Sequence, residues 1–225
     1  MHYIAHRGWT RNHPENTLAA FGEAWAAGMT GFETDIRCDR DGVAILFHDR
    51  CAADGQLVKS LTHAQLCDIQ GYPVPTLSEA LAAFPTAFWN LELKSADCLN
   101  ATRAVLEAQA QPFKGLISSF HHQLILTIAR ETQLPCALLL ANSPVRTINL
   151  YTMLATVPRP VGVGLVFDYE IASGEQIAEL TRQQVPCWVY GLQHADEYAT
   201  ALSWPLAGLI CDHPEHVPGL KPRTA

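Results

Sequence analysis

The chain has 225 residues, 48% of them hydrophobic and 16% charged, and a formal net charge of −7. This length can bury one large core, so a single domain over 1–225 is expected, with no nucleic-acid partner, because phosphate backbones select basic surfaces. No apolar stretch reaches the length of a transmembrane helix and no basic run suggests an anionic lipid surface, so no stable membrane association is expected.

In chain order, the first predicted element is a strand at Tyr3 to His6, which leaves no room for a signal peptide ahead of it. A helix follows, with Asn16 or Thr17 as cap, apolar residues at Leu18, Phe21, Ala24 and Trp25, and Gly28 placed to end it. Strand two is Gly31 to Arg37, continued by the turn signal Asp41-Gly42 and the apolar run 43–47. Residues 50–75 are less regular, with a short helix around Thr62 to Ile69. Pro75-Thr76-Leu77 opens a helix through Phe84, capped by Thr76 or Ser78. Further strands are predicted at Phe88 to Leu93, Gly115 to Ser119, Cys136 to Leu140, Val161 to Phe167, Cys187 to Tyr190 and Gly208 to Cys211. Helical patterns near 98–110, 121–132, 144–156, 174–184 and 194–203 separate them. Eight strands alternating with helices predict a parallel sheet with helices outside, and in this length a (β/α)8 TIM barrel. A doubly wound open sheet is the alternative, weakened by the lack of a GxGxxG fingerprint after strand one.

The seven cysteines are an odd number without CxxC spacing, and several sit inside apolar runs. They read as free thiols in a reduced, cytoplasmic protein with no disulfide framework and no zinc site.

The chemistry concentrates in the first half. His6 ends strand one, and His48-Asp49 ends the run 43–47. Glu33 and Asp35 are two apart on a strand, so both point to one face, and Glu92 and Lys94 repeat that spacing on the neighbouring strand. Three carboxylates with water suit a hard divalent cation, Mg2+ or Ca2+, rather than zinc. Together with one divalent cation they still carry net negative charge. An anionic phosphodiester therefore requires added cations, and Arg7 and Lys94 are available for its oxygens. Histidine can take or give a proton near neutrality, so His6 and His48 form the acid–base pair, with their individual roles open. Taken singly, each of these residues also fits a loop cap or a surface ion pair; their joint placement at the ends of three early strands does not. Asp39 and Asp41 read as turn residues. The other eight histidines read as surface or packing residues. Tyr190, at a strand end, is a candidate pocket wall.

These residues stand within a longer set of motifs: His6-Arg7-Gly8, Pro14-Glu15-Asn16-Thr17, Ala20-Phe21, Gly28, Glu33-x-Asp35, Asp41-Gly42, His48-Asp49, Pro75-Thr76-Leu77, Glu92-x-Lys94, Ser118-Ser119-Phe120 and Asp212-x-Pro214. On them the chain resembles the glycerophosphodiester phosphodiesterases, in the small bacterial cytoplasmic form. The resemblance implies a TIM barrel with a small insertion after strand two, about residues 50–72. It implies Glu33, Asp35 and Glu92 as metal ligands, His6 and His48 as general acid and base, Arg7 and Lys94 on the phosphate, and Glu15 at the mouth of the site. The implied reaction hydrolyses a glycerophosphodiester to sn-glycerol 3-phosphate and an alcohol, through a cyclic phosphate made by the glycerol 2-hydroxyl. The chain departs from the family pattern at Tyr190-Gly191-Leu192-Gln193, at Cys211, and in the insertion, which bears on head-group selectivity. Two alternatives are a phosphodiesterase acting on a lysophospholipid or glycerophosphoinositol, and a non-catalytic phosphodiester-binding barrel. The second is disfavoured because all five acid–base and metal residues are present.

Overall fold

The computed structural model of the chain describes residues 1–141 and 162–223. Within them lie strands β1 (His2–His6), β2 (Gly31–Cys38), β3 (Ala44–Leu46), β4 (Phe88–Leu93), β5 (Gly115–Ser119), β6 (Cys136–Leu140), β7 (Val163–Asp168), β8 (Cys187–Leu192) and β9 (Gly208–Cys211). The helices are α1 (Leu18–Ala26), α2 (His63–Gln70), α3 (Leu77–Ala83), α4 (Cys98–Glu107), α5 (His122–Glu131), α6 (Gly174–Arg182) and α7 (Ala195–Leu202). The predicted strands and helices match these within a few residues at each end. The helical pattern near 144–156 and the start of the predicted strand at Val161 lie outside the described residues.

Eight strands pair in parallel in the order β1-β2-β4-β5-β6-β7-β8-β9, and β9 returns to β1. This closed sheet, with helices outside it, is a (β/α)8 TIM barrel with an insertion after its second strand. The run 43–47 does not prolong β2. It folds back as β3, antiparallel to β2, with Ile36 opposite Leu46 and Cys38 opposite Ala44. Asp39 drives the reversal, its Oδ1 accepting from the backbone N–H of Asp41 and Val43 at 2.9 and 2.8 Å. The excursion from the barrel therefore includes β3 as well as the irregular residues after it, and buries a small core of its own with Ile45, Phe47, Val58 and Leu66.

Strand alternation sorts the side chains. Positions such as Phe32, Ile36, Leu91, Leu138, Leu165 and Val189 pack outward under the helices in the main core. The intervening positions face inward; there Ile4, Leu116, Leu139, Val166, Trp188 and Ile210 fill the barrel. Local signals set the helices against this frame. Thr17 caps α1 by accepting from Ala20 N–H at 3.3 Å, and Phe21 on that helix meets Phe32 and Trp89 at centroid distances of 4.9 and 5.3 Å. Thr76 and Glu79 form a reciprocal capping box at the start of α3.

Candidate active site

The register of three strands builds the site. His6 lies opposite Glu33, Glu33 opposite Asn90, and Asp35 opposite Glu92. All are inward positions at the C-terminal rim, the end at which a TIM barrel collects its functional groups. One carboxylate oxygen each from Glu33, Asp35 and Glu92 can be chosen so that all lie within 4.8 Å of one another, and all three residues are buried.

Buried like charges cannot all be ionised without a compensating cation. Burial, followed by the charge of Asp35, pushes the Glu33 carboxyl up to about 8. Asp35 is held below the ordinary carboxylate range: burial opposes this, and the charges of Lys94 and Arg7 overcome it. Lys94 Nζ reaches Glu92 Oε1 at 2.5 Å and Asp35 Oδ1 at 2.8 Å, and Arg7 Nε lies 3.2 Å from Asp35 Oδ2. Glu33 Oε1 is inaccessible and accepts no hydrogen bond from the described residues. An orphaned buried oxygen beside two further carboxylates fits a hard divalent cation that takes oxygen ligands.

Both imidazoles are held by a carboxylate at Nδ1. His6 Nδ1–H donates to Asp212 Oδ1 at 2.5 Å, and His48 Nδ1–H donates to Asp49 Oδ1 at 2.8 Å. Because a carboxylate only accepts, Nδ1 carries the hydrogen in each ring and Nε2 is the atom free for chemistry. His6 Nε2 lies 3.7 Å from Glu33 Oε2. Burial by itself would lower the His6 pKa. The hydrogen bond to Asp212 and the charge of Glu33 overcome this and raise it to about 9. His48 is the more exposed of the two, its side chain 36% accessible, and it enters the site from the insertion rather than from a barrel strand.

A cavity of about 190 Å³ unites these groups, lined on one side by His6, Arg7, Glu33, His48, Glu92 and Lys94 and on the other by Phe120, Leu139, Tyr190 and Ile210. Tyr190 is thus a wall, as its strand-end position implied, and burial raises its phenol pKa. Glu15 does not itself line this cavity. Its carboxylate accepts from Arg7 Nη1 with both oxygens, at 2.9 and 3.1 Å, and so orients the guanidinium. Arg7 has a left-handed backbone (φ 57°), and Gly8 follows at φ 90° where an added Cβ would lie 2.6 Å from that of Ala20.

Two partners of the candidate site stood in the sequence motifs with no role assigned there. Asn16, buried and itself left-handed (φ 57°), donates from Nδ2 to Asp35 Oδ2 at 2.8 Å, while its Oδ1 accepts from Thr34 Oγ1 at 2.6 Å. It fixes the rotamer of a candidate cation ligand; as a helix cap it is displaced by Thr17. Asp212, at the end of the last strand, fixes His6 from 206 positions away. Asn90, opposite Glu33 and held by a 2.7 Å bond from Ser118 Oγ, carried no sequence signal beyond its inward parity.

The model of the glycerophosphoryl diester phosphodiesterase family matches residues 6–216. The chain belongs to that family. Among curated relatives, a probable glycerophosphodiester phosphodiesterase 2 of Mycobacterium tuberculosis is 36% identical over 125 residues, covering 52% of this chain and 47% of that protein. A glycerophosphodiester phosphodiesterase of Caldanaerobacter subterraneus is 31% identical over 141 residues, covering 53% and 58%. The human glycerophosphodiester phosphodiesterase 1 is 37% identical over 95 residues, covering 35% and 29%. The chain thus spans between about a third and somewhat over half of the length of these relatives. Among solved structures, the glycerophosphodiester phosphodiesterase of Thermotoga maritima superposes with a TM-score of 0.80 at 23% identity, covering 97% of each chain. An Oleispira antarctica phosphodiesterase in complex with the product sn-glycerol-3-phosphate superposes at 0.81 and 22% identity, covering 96% of this chain and 95% of that one. At these identities the superpositions speak to the fold. No helix among the described residues is long and apolar enough to cross a membrane.

Proposed function

We propose that this protein hydrolyses glycerophosphodiesters to sn-glycerol 3-phosphate and an alcohol, with a divalent cation, Mg2+ or Ca2+, held by Glu33, Asp35 and Glu92. The observation that carries this reading is the convergence of Glu33, Glu92, two carboxylate-anchored imidazoles and two cations on one cavity, with the buried carboxylate of Asp35 clustered beside Glu33 and Glu92, in a chain of this family. When bound, the cation supplies electrophilic stabilisation of the charge on phosphate oxygens.

The chain's own residues supply the rest. Arg7 and Lys94 attract the anionic diester and orient it. One imidazole accepts the proton of the glycerol 2-hydroxyl at Nε2 while the other donates to the departing alkoxide, so that the oxygen–phosphorus bond forms as the ester bond breaks and a cyclic phosphate results. The roles then reverse: the ring left protonated donates to the 2-oxygen as water, deprotonated by its partner, opens the cycle. Asp212 and Asp49 keep both rings in the tautomer this exchange requires. Phe120, Leu139 and Ile210 exclude bulk water from one side of the reacting phosphate. The seven cysteines, all free, support a reducing, cytoplasmic setting, and a barrel that closes between strands spanning residues 2–211 supports a single domain over 1–225.

The test is coupled detection of glycerol 3-phosphate from glycerophosphocholine and related diesters with added Mg2+ or Ca2+. Release that stops with chelator is expected. Full turnover in chelator, or tight diester binding with no product in either metal, would sink the reading. A substrate lacking the glycerol 2-hydroxyl separates the cyclic route, which requires it, from direct attack by water.

A further inference from the structure

A second cavity, of about 240 Å³, adjoins the active-site cavity, and Lys94 lines both. Its other charged lining residues are Arg37, Arg50, Lys59 and Asp97. Lys94 is engaged by Asp35 and Glu92. Arg37 donates from Nε to the backbone carbonyl of His48 at 2.8 Å, which puts it directly behind a candidate catalytic residue. None of Arg37, Arg50 and Lys59 pairs with a carboxylate among the described residues. In a chain of net charge −7, three cations facing one carboxylate is a local reversal of sign.

The cluster is held in place. Arg50 and Lys59 flank a short hairpin in the insertion: Cys51 bridges Leu57, Ala52 N–H donates to Gln56 O at 2.8 Å, and Val58 N–H donates to Arg50 O at 3.1 Å. Val58 and Ala52 anchor that hairpin in the small insertion core. The cations therefore stand on a supported element, and unpaired guanidinium and ammonium groups at one concave surface suit a phosphate dianion.

The two cavities offer different environments on either side of the reacting centre. Beyond His6 the walls are Phe120, Leu139, Tyr190 and Ile210, with no cation to receive a second anion. Beyond Lys94 the surface is basic. An uncharged glycerol is suited to the first and an anionic head group to the second. We propose that the second cavity is a subsite for a phosphomonoester carried on the alcohol half of the substrate, so that diesters with a phosphorylated head group are preferred. This rests on the hydrolase reading and narrows its substrate class.

The discriminating pair is glycerophosphoinositol 4-phosphate against glycerophosphoinositol, which differ only in that phosphate. The ratio of their kcat/KM values is read at low ionic strength in the wild type, in Arg50→Ala/Lys59→Ala, and in Arg103→Ala/Arg182→Ala, which removes two charges from exposed helix ion pairs elsewhere. A wild-type ratio of about ten or more, falling towards one in the first variant and unchanged in the second, is expected for the loss of two direct charge contacts. A wild-type ratio of one or less overturns the subsite. So does an equal fall in the distal variant, which assigns the effect to overall charge. If neither diester nor glycerophosphocholine is turned over, the hydrolase reading fails; whenever the two inositol diesters are not turned over, their calorimetric binding in chelator decides the subsite separately: tighter binding of the phosphorylated one that depends on Arg50 and Lys59 supports it, and equal binding overturns it.

Discussion

The two walls of the barrel interior are built from the same strand geometry and do opposite things. On β1, β2 and β4 the inward rim positions are His6, Glu33, Asp35, Asn90 and Glu92; on β6 to β9 they include Leu139, Val166, Tyr190 and Ile210. The apolar wall gains from burying Leu139, Val166 and Ile210. The polar wall holds buried carboxylates too close together, one of them with an unpartnered oxygen, offset only in part by Lys94 and Arg7. Binding capacity is placed where the structure is least favourable to itself, and the apolar side carries the stability that tolerates it.

Four experiments test whether the two walls are separable. His6→Ala and His48→Ala should each lower kcat by about 10²–10⁴-fold in coupled glycerol 3-phosphate release, with the thermal transition little changed in the more exposed His48→Ala. Undiminished turnover in either variant would detach the imidazoles from the chemistry.

The second concerns the cation. With the Glu33 carboxyl at about 8, a proton competes with the cation at neutral pH. Affinity should therefore rise about tenfold per unit between pH 6 and 8 and flatten above it, with at least one proton released on binding. Titration calorimetry in two buffers of different ionisation enthalpy measures both, and a pH-independent affinity would contradict the clustering. The folded-state pKa of Glu33 is raised from 4.5, so in chelator its contribution to stability is fully present below pH 4.5 and is lost as pH rises through about 8. Glu33→Gln should flatten that decline while abolishing cation-dependent activity.

Third, Asp212→Asn should lower kcat by about 10–100-fold and move the His6 titration down, because the raised value depends first on that hydrogen bond. Proton-detected titration of the His6 ring reads this directly. A kinetic loss with the His6 titration unmoved would mean that Asp212 acts otherwise.

Fourth, on the apolar wall, Val166→Ala should cost about 2–3 kcal/mol of stability by denaturant unfolding, with turnover near wild type below the melting transition. A large loss of turnover without destabilisation would show that the two walls are not separable in this way.

The legible part of the site lies where its logic is local. Glu33 and Asp35 declare a shared face by their spacing, and Glu92 and Lys94 do the same, because alternation along a strand needs no knowledge of the partner. His48 was legible as a residue and only partly as a position: Asp39, Asp41 and Gly42 read as a turn, but that the run after them folds back antiparallel on β2, with Asp39 capturing two backbone N–H groups, came from the structure. Lys94 reads as a phosphate contact, yet in the structure its ammonium lies between Asp35 and Glu92. Arg37, Arg50 and Lys59 carry no motif, because nothing in their spacing announces that a hairpin folds the last two against the end of β2.

From sequence alone came the alternation of strands and helices, the cap positions at Asn16–Thr17 and Thr76–Ser78, the barrel, and a candidate set of groups for binding a cation and moving protons. These follow from side-chain periodicity and backbone preferences acting over a few residues. Which strand lies beside which, and in what register, came only with barrel closure. It is closure that brings Asp212 to His6, Glu92 opposite Asp35, and a basic cavity against Lys94. Such contacts arise between segments far apart in the chain, from the collective burial of apolar surface, and no local pattern encodes them.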